Sequence, residues 1–214
     1  SPQELAEEAC EIEINRLGYP VGKQDQYISA FGGLRVLDIS TTGKVNVKNV
    51  NLEYGSLLEL INNLHIYFLK KKRNASDVLT KLDTPNQGND ERMLKVKELG
   101  YKTLDILESK NFDDYGLMLD DYWKLKKEFS PDMSFSLADT IYSELKAKFG
   151  ILGGKIIGAG GGGFLMVYAN KKHREIENYM ASHNIVRLNY LPDFHGSTIL
   201  GDFTSSNQRQ LLHL

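Results

Sequence analysis

The sequence is short of several things that whole classes of protein need. Among its 214 residues there is one cysteine, Cys10. An internal disulfide framework is therefore excluded, and a reducing, cytoplasmic setting is expected. No run approaches 18 consecutive apolar residues, and the opening Ser-Pro-Gln-Glu-Leu-Ala has neither a basic stretch nor an apolar one. Neither a membrane span nor a signal peptide is expected. An excess of one charge is also missing: 26 Lys plus Arg stand against 28 Asp plus Glu, for a formal charge of −2. That balance argues against a nucleic-acid binder with a broad phosphate-neutralising face. The five histidines show no metal-ligand spacing, and no Cys/His or Ser/His/Asp set can be assembled. Repeats and low-complexity segments are absent too. What is present is ordinary globular usage, 41% hydrophobic and 25% charged. The length suits one medium domain or two small ones, and such a chain buries roughly 70% of its unfolded surface.

The first residues predict a helix over 2–17. Ser1 caps it, Pro2 takes the first helical position, Glu4 completes a capping box, and Gly18 with Pro20 ends it. Leu5, Ala9, Ile12 and Leu17 mark its expected apolar face. A second helix is expected over 22–31, stopped by Gly32 and Gly33, then a hairpin of 34–40 and 44–51 around Thr42-Gly43. A strand over 65–69, a helix over 74–82 and a loop over 83–90 follow. Helices are predicted over 91–109, 112–129 and 134–149, the second with Leu117, Tyr122, Leu125 and Phe129 on its apolar side. From Lys155 the pattern returns to strands at 155–158, 163–169, 185–190 and 197–203, with a helix over 171–183 and a loosely held polar tail over 204–214. From about residue 64 onward this is an α+β layout of ferredoxin-like character, with helices on one face of a mainly antiparallel sheet.

Two segments stand out chemically. Seven of the 19 glycines fall between Gly153 and Gly163. Gly158, Gly160 and Gly163 satisfy G-x-G-x-x-G, yet the following Phe-Leu-Met-Val-Tyr is a strand where a dinucleotide fingerprint needs a helix. The cluster is then either a tight hairpin turn or a wall of backbone N–H groups for phosphates, with Lys155 adding charge. The other segment is Gly22-Lys23-Gln24-Asp25-Gln26. Asp25 in a first helical turn is explained by the helix dipole alone. Flanked by two amides and Lys23, it is equally a carboxylate aimed at a substrate hydroxyl, with Lys23 holding it ionised. The run Lys70-Lys71-Lys72-Arg73 reads as a solvated helix entry or as an anion site. His65, His173 and Cys10 read as structural.

Together the two segments carry a resemblance. Residues 22–33, Gly-Lys-Gln-Asp-Gln-Tyr-Ile-Ser-Ala-Phe-Gly-Gly, resemble the second signature of the GHMP kinases (galactokinase, homoserine kinase, mevalonate kinase, phosphomevalonate kinase). Residues 153–164 resemble the third. Within that superfamily the Gln-Asp-Gln form, Trp123-Lys124-Leu125-Lys126 and Ser134-Phe135-Ser136 are most similar to the kinases of D-glycero-D-manno-heptose 7-phosphate. The similarity runs to about residue 203.

The resemblance implies roles. Asp25 matches the family aspartate proposed as catalytic base, or as the carboxylate orienting the attacking hydroxyl. Lys23 and Gln24 flank it. Gly158 and Gly160, Gly161, Gly162 and Gly163 match the loop beside the nucleotide phosphates, and Lys155 opens that segment. Arg73, before Ala75-Ser76, matches an arginine of the family's Arg-x-Ala-Ser stretch, although Leu69-Lys70-Lys71-Lys72 replaces the preceding Thr-Gly. The family's first signature, a Pro-x-x-x-Gly-Leu-Gly-Ser-Ser loop that holds ATP phosphates and contacts magnesium, occurs nowhere in the 214 residues. The chain therefore resembles the C-terminal portion of such a kinase, starting just after that loop. Residues 1–52 would be the remnant of a nucleotide-binding half-domain, and 53–214 the C-terminal GHMP domain. The implied activity is ATP- and Mg²⁺-dependent phosphorylation of a sugar, most specifically the anomeric hydroxyl of a heptose 7-phosphate, with this chain inactive alone. Self-association, or pairing with the missing N-terminal portion, follows from the exposed edges such a chain would carry. The alternatives are another sugar kinase of fucose or galactose type, or a non-catalytic ferredoxin-like binding module.

Overall fold

A computed structural model describes residues 1–70, 89–129, 134–158 and 162–201, with only the backbone of residues 89, 90 and 129. The expected helix 74–82, residues 83–88 of the expected loop 83–90 and the tail 204–214 lie outside the described residues, as do Arg73, Pro131, Gly160 and Gly161, whereas Asn89 and Asp90 of that loop belong to a helix.

Helix α1 (Pro2–Cys10) begins with the capping box read from the sequence: Ser1 Oγ accepts from the Glu4 N–H, and the Glu4 carboxylate reaches back to the chain's first amine. It runs on as a wider π-type turn over Glu11–Arg16, and Gly18 leaves it with φ +67°. Its buried face is not the predicted one. Ala6 and Cys10 are buried, while Leu5, Ile12 and Leu17 are exposed. Small residues let α2 (Gln24–Phe31) approach closely, so Tyr27 and Ala30 complete a small cluster with Val45.

The hairpin β1 (Arg35–Ile39) and β2 (Val45–Asn49) pairs antiparallel with Ile39 opposite Val45. Its turn closes through Ser40, which bonds Lys44 through both backbone and hydroxyl, and Gly43 supplies φ +80°. That is the left-handed position a short hairpin loop requires.

Helix α3 (Tyr54–Asn63) leads directly into β3 (Leu64–Phe68). The sequence reading left this helix out. Helices α4 (Asn89–Glu108), α5 (Phe112–Phe129) and α6 (Ser136–Glu144), the last extended by a π-type turn over Leu145–Phe149, lie close to their predicted spans. Strands β4 (Gly153–Ile156) and β5 (Phe164–Tyr168) and helix α7 (His173–Ser182) complete the described elements.

The sheet has the order β3-β5-β4 and is antiparallel throughout, with Leu64 opposite Tyr168 and Ile156 opposite Leu165. The mixed helix-and-antiparallel-sheet architecture is the one expected. Side-chain alternation along the strands splits the core in two. Tyr67, Leu165, Val167 and Ile156 pack with α6, α7 and Trp123, whereas Leu64, Met166 and Tyr168 pack with α3, α4 and α5. Helical cover therefore extends to both faces.

Two expected strands are corrected. Of 185–190, only Arg187 pairs, as a single bridge to Tyr67. Residues 197–201 form no strand, because their segment docks on α2 instead. On α5 the buried apolar side chains are Phe112, Met118, Leu119, Trp123 and Leu125, Asp120 is buried with them, and Leu117 faces out.

Candidate active site

The helix that carries Asp25 is held by its neighbours' polar side chains. Tyr27 donates its hydroxyl to Glu7 and accepts from Gln3 Nε2 at 2.8 Å. Gln26 Nε2 donates to Glu13 at 2.6 Å. Residues 26 and 27 thus face α1, and residues 24 and 25 face outward, as helical spacing requires. The Asp25 carboxylate is exposed, and none of the described hydrogen bonds or ion pairs uses it. It lies at the rim of a concavity of about 400 Å³ lined by Leu5, Glu13, Ser29 and Ser197, among others.

Lys23 does not serve Asp25. Its ammonium donates to the Gly43 carbonyl at 2.8 Å and pairs with Glu7 Oε2 at 3.4 Å, so the charge it answers is that of Glu7. The Glu7 carboxyl is held below the usual range chiefly by the Tyr27 hydroxyl, with Lys23 adding to it. Gln24 is exposed beside Asp25, and its amide fills the space a side chain at Gly22 would need.

A second structural element reaches this site from far along the chain. Gly33 N–H donates to the Asp193 carbonyl, Ser197 Oγ donates to the Ser29 carbonyl at 3.1 Å, and Gly196 crosses the end of α2. A Cβ on Gly196 would stand 2.3 Å from the Ala30 carbonyl oxygen, and one on Gly32 2.4 Å from the Gly196 nitrogen. Both have positive φ, +65° and +63°. The backbones therefore meet where only glycine fits, and Ser197 joins Asp25 at the concavity. Sequence reading missed this clamp. It read Ser197 as the start of a strand over 197–203 and gave Gly196 no role.

The glycine segment belongs to the sheet. Gly158 and Gly163 flank its turn with φ +84° and +83°. The Gly163 carbonyl accepts from Leu69 N–H at 3.0 Å, and Ile157 N–H donates to the Phe164 carbonyl. A Cβ at Gly158 would meet nothing within 4 Å, so backbone conformation rather than crowding demands glycine there. Gly162 is buried. Lys155 precedes the turn on β4, opposite Met166, with Nζ 4.7 Å from the centre of the Tyr122 ring. Burial, and then the nearby Lys126, bring its ammonium down to about 8. The surroundings of Asp25 and the interactions of the glycine segment involve different elements, α2 with α1 and residues 193–197 in one case, β4, β5 and α5 in the other.

A buried carboxylate that the sequence did not single out lies between them in chain order. Asp120 accepts from Tyr142 at 2.6 Å, Lys146 at 2.7 Å and Lys124 at 2.8 Å. Burial opposes its charge, but these three donors outweigh it and hold the carboxyl at about 2. It ties α5 to α6 above β4.

No family model matches the chain. It is 30% identical over 178 residues to the D-glycero-alpha-D-manno-heptose 7-phosphate kinase of Campylobacter jejuni, spanning 81% of this chain and 52% of that protein. Its fold is similar to that of a D-glycero-D-manno-heptose 1-phosphate kinase from Bacteroides thetaiotaomicron, with a TM-score of 0.70 and 23% identity over 94% of this chain and 56% of the other. It is also similar to Methanococcus jannaschii mevalonate kinase, with a TM-score of 0.63 and 19% identity over 88% and 55%. The fold is one that these solved kinase structures share. In sequence and fold the chain is thus similar to kinases of the GHMP superfamily. It spans about half the length of these relatives.

Proposed function

We propose that this chain is the acceptor-binding part of a sugar kinase that transfers the γ-phosphoryl group of Mg-ATP to the anomeric hydroxyl of D-glycero-D-manno-heptose 7-phosphate. One observation carries the reading. Asp25, at the position of the family aspartate, presents an exposed carboxylate unused by any described side chain at the rim of a concavity. In this role the carboxylate accepts the acceptor hydroxyl's proton as its oxygen bonds to the γ-phosphorus, and the bond to the ADP oxygen breaks. The rest of the catalysis is positioning and electrostatics.

Glycines 158 and 160–163 border the nucleotide phosphates in this reading, with Lys155 behind them and Gln24 beside the acceptor. Arg73 is assigned to substrate. Lys23 acts at one remove, by anchoring the α2 entry. Residues 1–52 are the nucleotide-binding half and 53–214 the C-terminal domain. The separate cluster of Ala6, Cys10, Tyr27, Ala30 and Val45 supports that division. Among the described residues no group of three or more His, Cys, Asp or Glu could hold a metal. The described residues by themselves do not make a magnesium site. Its ligands, with the ATP phosphate clamp, fall to a phosphate loop outside these 214 residues. The exposed Leu5, Ile12, Leu17 and Ile28 support docking of that part, or of a second copy.

The test mixes this chain with a polypeptide supplying the phosphate loop and assays heptose 7-phosphate, L-fucose and galactose as acceptors. Turnover is expected with the heptose 7-phosphate and only in the mixture. Asp25→Asn should lower it by about 10²–10⁴-fold. Near-normal turnover by that variant refutes the assignment. Robust turnover by the 214 residues alone refutes the need for a second part.

A further inference from the structure

The lysines around α5 do not share one fate. Lys124 pairs with Asp120 and Asp121, Lys127 with Asp139, Lys146 with Asp120, and Lys148 with Glu144. Lys126 and Lys155 are the exceptions. Both ammonium groups converge on one ring, Lys126 at 5.8 Å and Lys155 at 4.7 Å from the centre of Tyr122. Among the described residues neither has a carboxylate partner. All three side chains are half-buried. Two like charges brought together in reduced solvent repel each other, and the ring's face compensates only in part.

The backbone enforces this meeting. A Cβ on Gly153 would stand 2.0 Å from the Gly116 carbonyl oxygen and 2.7 Å from Asp120 N, and one on Gly116 2.5 Å from the Tyr168 ring. These glycines let α5 lie directly on β4. The Lys155–Met166 register points Lys155 to the α5 side of the sheet, and helical spacing sets Lys126 one turn beyond Tyr122. Lys155 is also three residues before Gly158. Burial keeps the Lys155 proton loosely held, as the lowered value of about 8 reflects, and a bound dianion would restore it.

We propose that Lys126 and Lys155, seated on Tyr122, form a binding site for a phosphate monoester dianion, the phosphate that an already phosphorylated sugar carries into the reaction. This deepens the sugar-kinase reading and rests on it for the identity of the ligand. The phosphate site itself rests on the geometry alone. A compact dianion answers both ammonium groups at once, which neutral sugars cannot do.

The test is binding to the 214-residue chain at neutral pH and low salt, with D-mannose 6-phosphate, D-mannose and ADP as probes. Mannose 6-phosphate should bind at least about tenfold more tightly than mannose. Lys126→Gln and Lys155→Met should each weaken it at least about fivefold, while Lys48→Gln, on exposed β2, leaves it unchanged. The Lys155 ammonium, followed by NMR in ¹⁵N-lysine-labelled protein, should titrate higher with the phosphate bound. Unfolding midpoints of both variants at or above the parent's exclude misfolding as the cause, since each removes an unpaired cation. Equal binding of mannose and its phosphate, or unchanged affinity in both variants, overturns the site. If ADP rather than mannose 6-phosphate loses affinity in the variants, the site serves the nucleotide and the sugar-phosphate assignment falls. No turnover is involved, so failure of the kinase reading would leave these results standing.

Discussion

The β3-β5-β4 sheet and the α1–α2–hairpin unit solve the problem of staying folded differently. The sheet is buried between two apolar clusters, of fifteen and eight buried residues. The N-terminal unit has five. Hydrophobic stabilisation scales with the area removed from water, so the sheet has it in excess and the N-terminal unit does not. The latter substitutes polar ties: Gln3 and Glu7 on Tyr27, Glu13 on Gln26, Lys23 on Gly43, and the 193–197 segment across the end of α2. Asp25 stands on this thinner scaffold. An exposed carboxylate free to meet a ligand is compatible with a lightly built helix end, whereas an aspartate in the sheet region, Asp120, survives burial only by collecting three donors.

The largest blow to the comparison should come from Trp123→Ala. Trp123 is 2% exposed in the larger cluster, and its loss should cost about 3–5 kcal/mol and lower the global unfolding midpoint in urea. If only the N-terminal unit loosened, the two regions would not be ranked as argued.

Gly196→Ala comes next, because it asks a side chain to enter a backbone crossing at φ +65°. The strain should amount to about 1–3 kcal/mol. It should appear locally: faster amide hydrogen exchange over residues 24–49, with protection of β3, β4 and β5 unchanged. Uniform loss of protection would mean that the regions unfold as one.

A smaller effect distinguishes the regions by pH. His65 is fully buried, between Tyr67 at 3.0 Å and His173 at 2.8 Å. Burial, then Arg187 and His173, push its ring down to about 3 from an ordinary 6.5. The unfolded chain therefore binds this proton first, and stability should fall as pH drops from about 6.5 toward 3. Asp120, held at about 2 against an ordinary 3.8, adds a loss only below about 4. His65→Gln should flatten the stability profile between pH 6.5 and 4. An unchanged slope would place the acid sensitivity elsewhere. Smallest of all is Asp25→Asn, whose effect on the melting temperature should be negligible in this exposed position, whatever it does to turnover.

Much of the fold was legible because its signals are local. The capping box at Ser1 and Glu4, the hairpin turn at Gly43 and the three long helices follow from contacts within a few residues. The misses have physical reasons. The predicted α1 face of Leu5, Ile12 and Leu17 lost to Ala6 and Cys10 because close approach of α2 favours small residues. The strand expected over 197–203 looked apolar and β-prone, yet its first residue, Ser197, and the preceding Gly196 are spent on α2. Lys23 was read with Asp25, its neighbour in sequence, whereas the side chain reaches Glu7 and Gly43, sixteen and twenty residues away.

What the sequence determined by itself is the set of short-range commitments: where helices start and stop, that residues 153–163 must turn through glycine, that Asp25 sits in the first turn of a helix, and that the segments resemble those of GHMP kinases. Tertiary structure alone decided which charges remain unanswered. Lys124, Lys126 and Lys127 are near-identical in sequence terms, and helical rotation against β4 and α6 gives two of them carboxylates and turns the third toward Lys155. Gly32 and Gly196 are 164 residues apart, and their need for each other exists only where the two backbones cross. Local propensities are set by neighbours along the chain. Burial, pairing and proton affinity are set by neighbours in space, which exist only once the chain has packed.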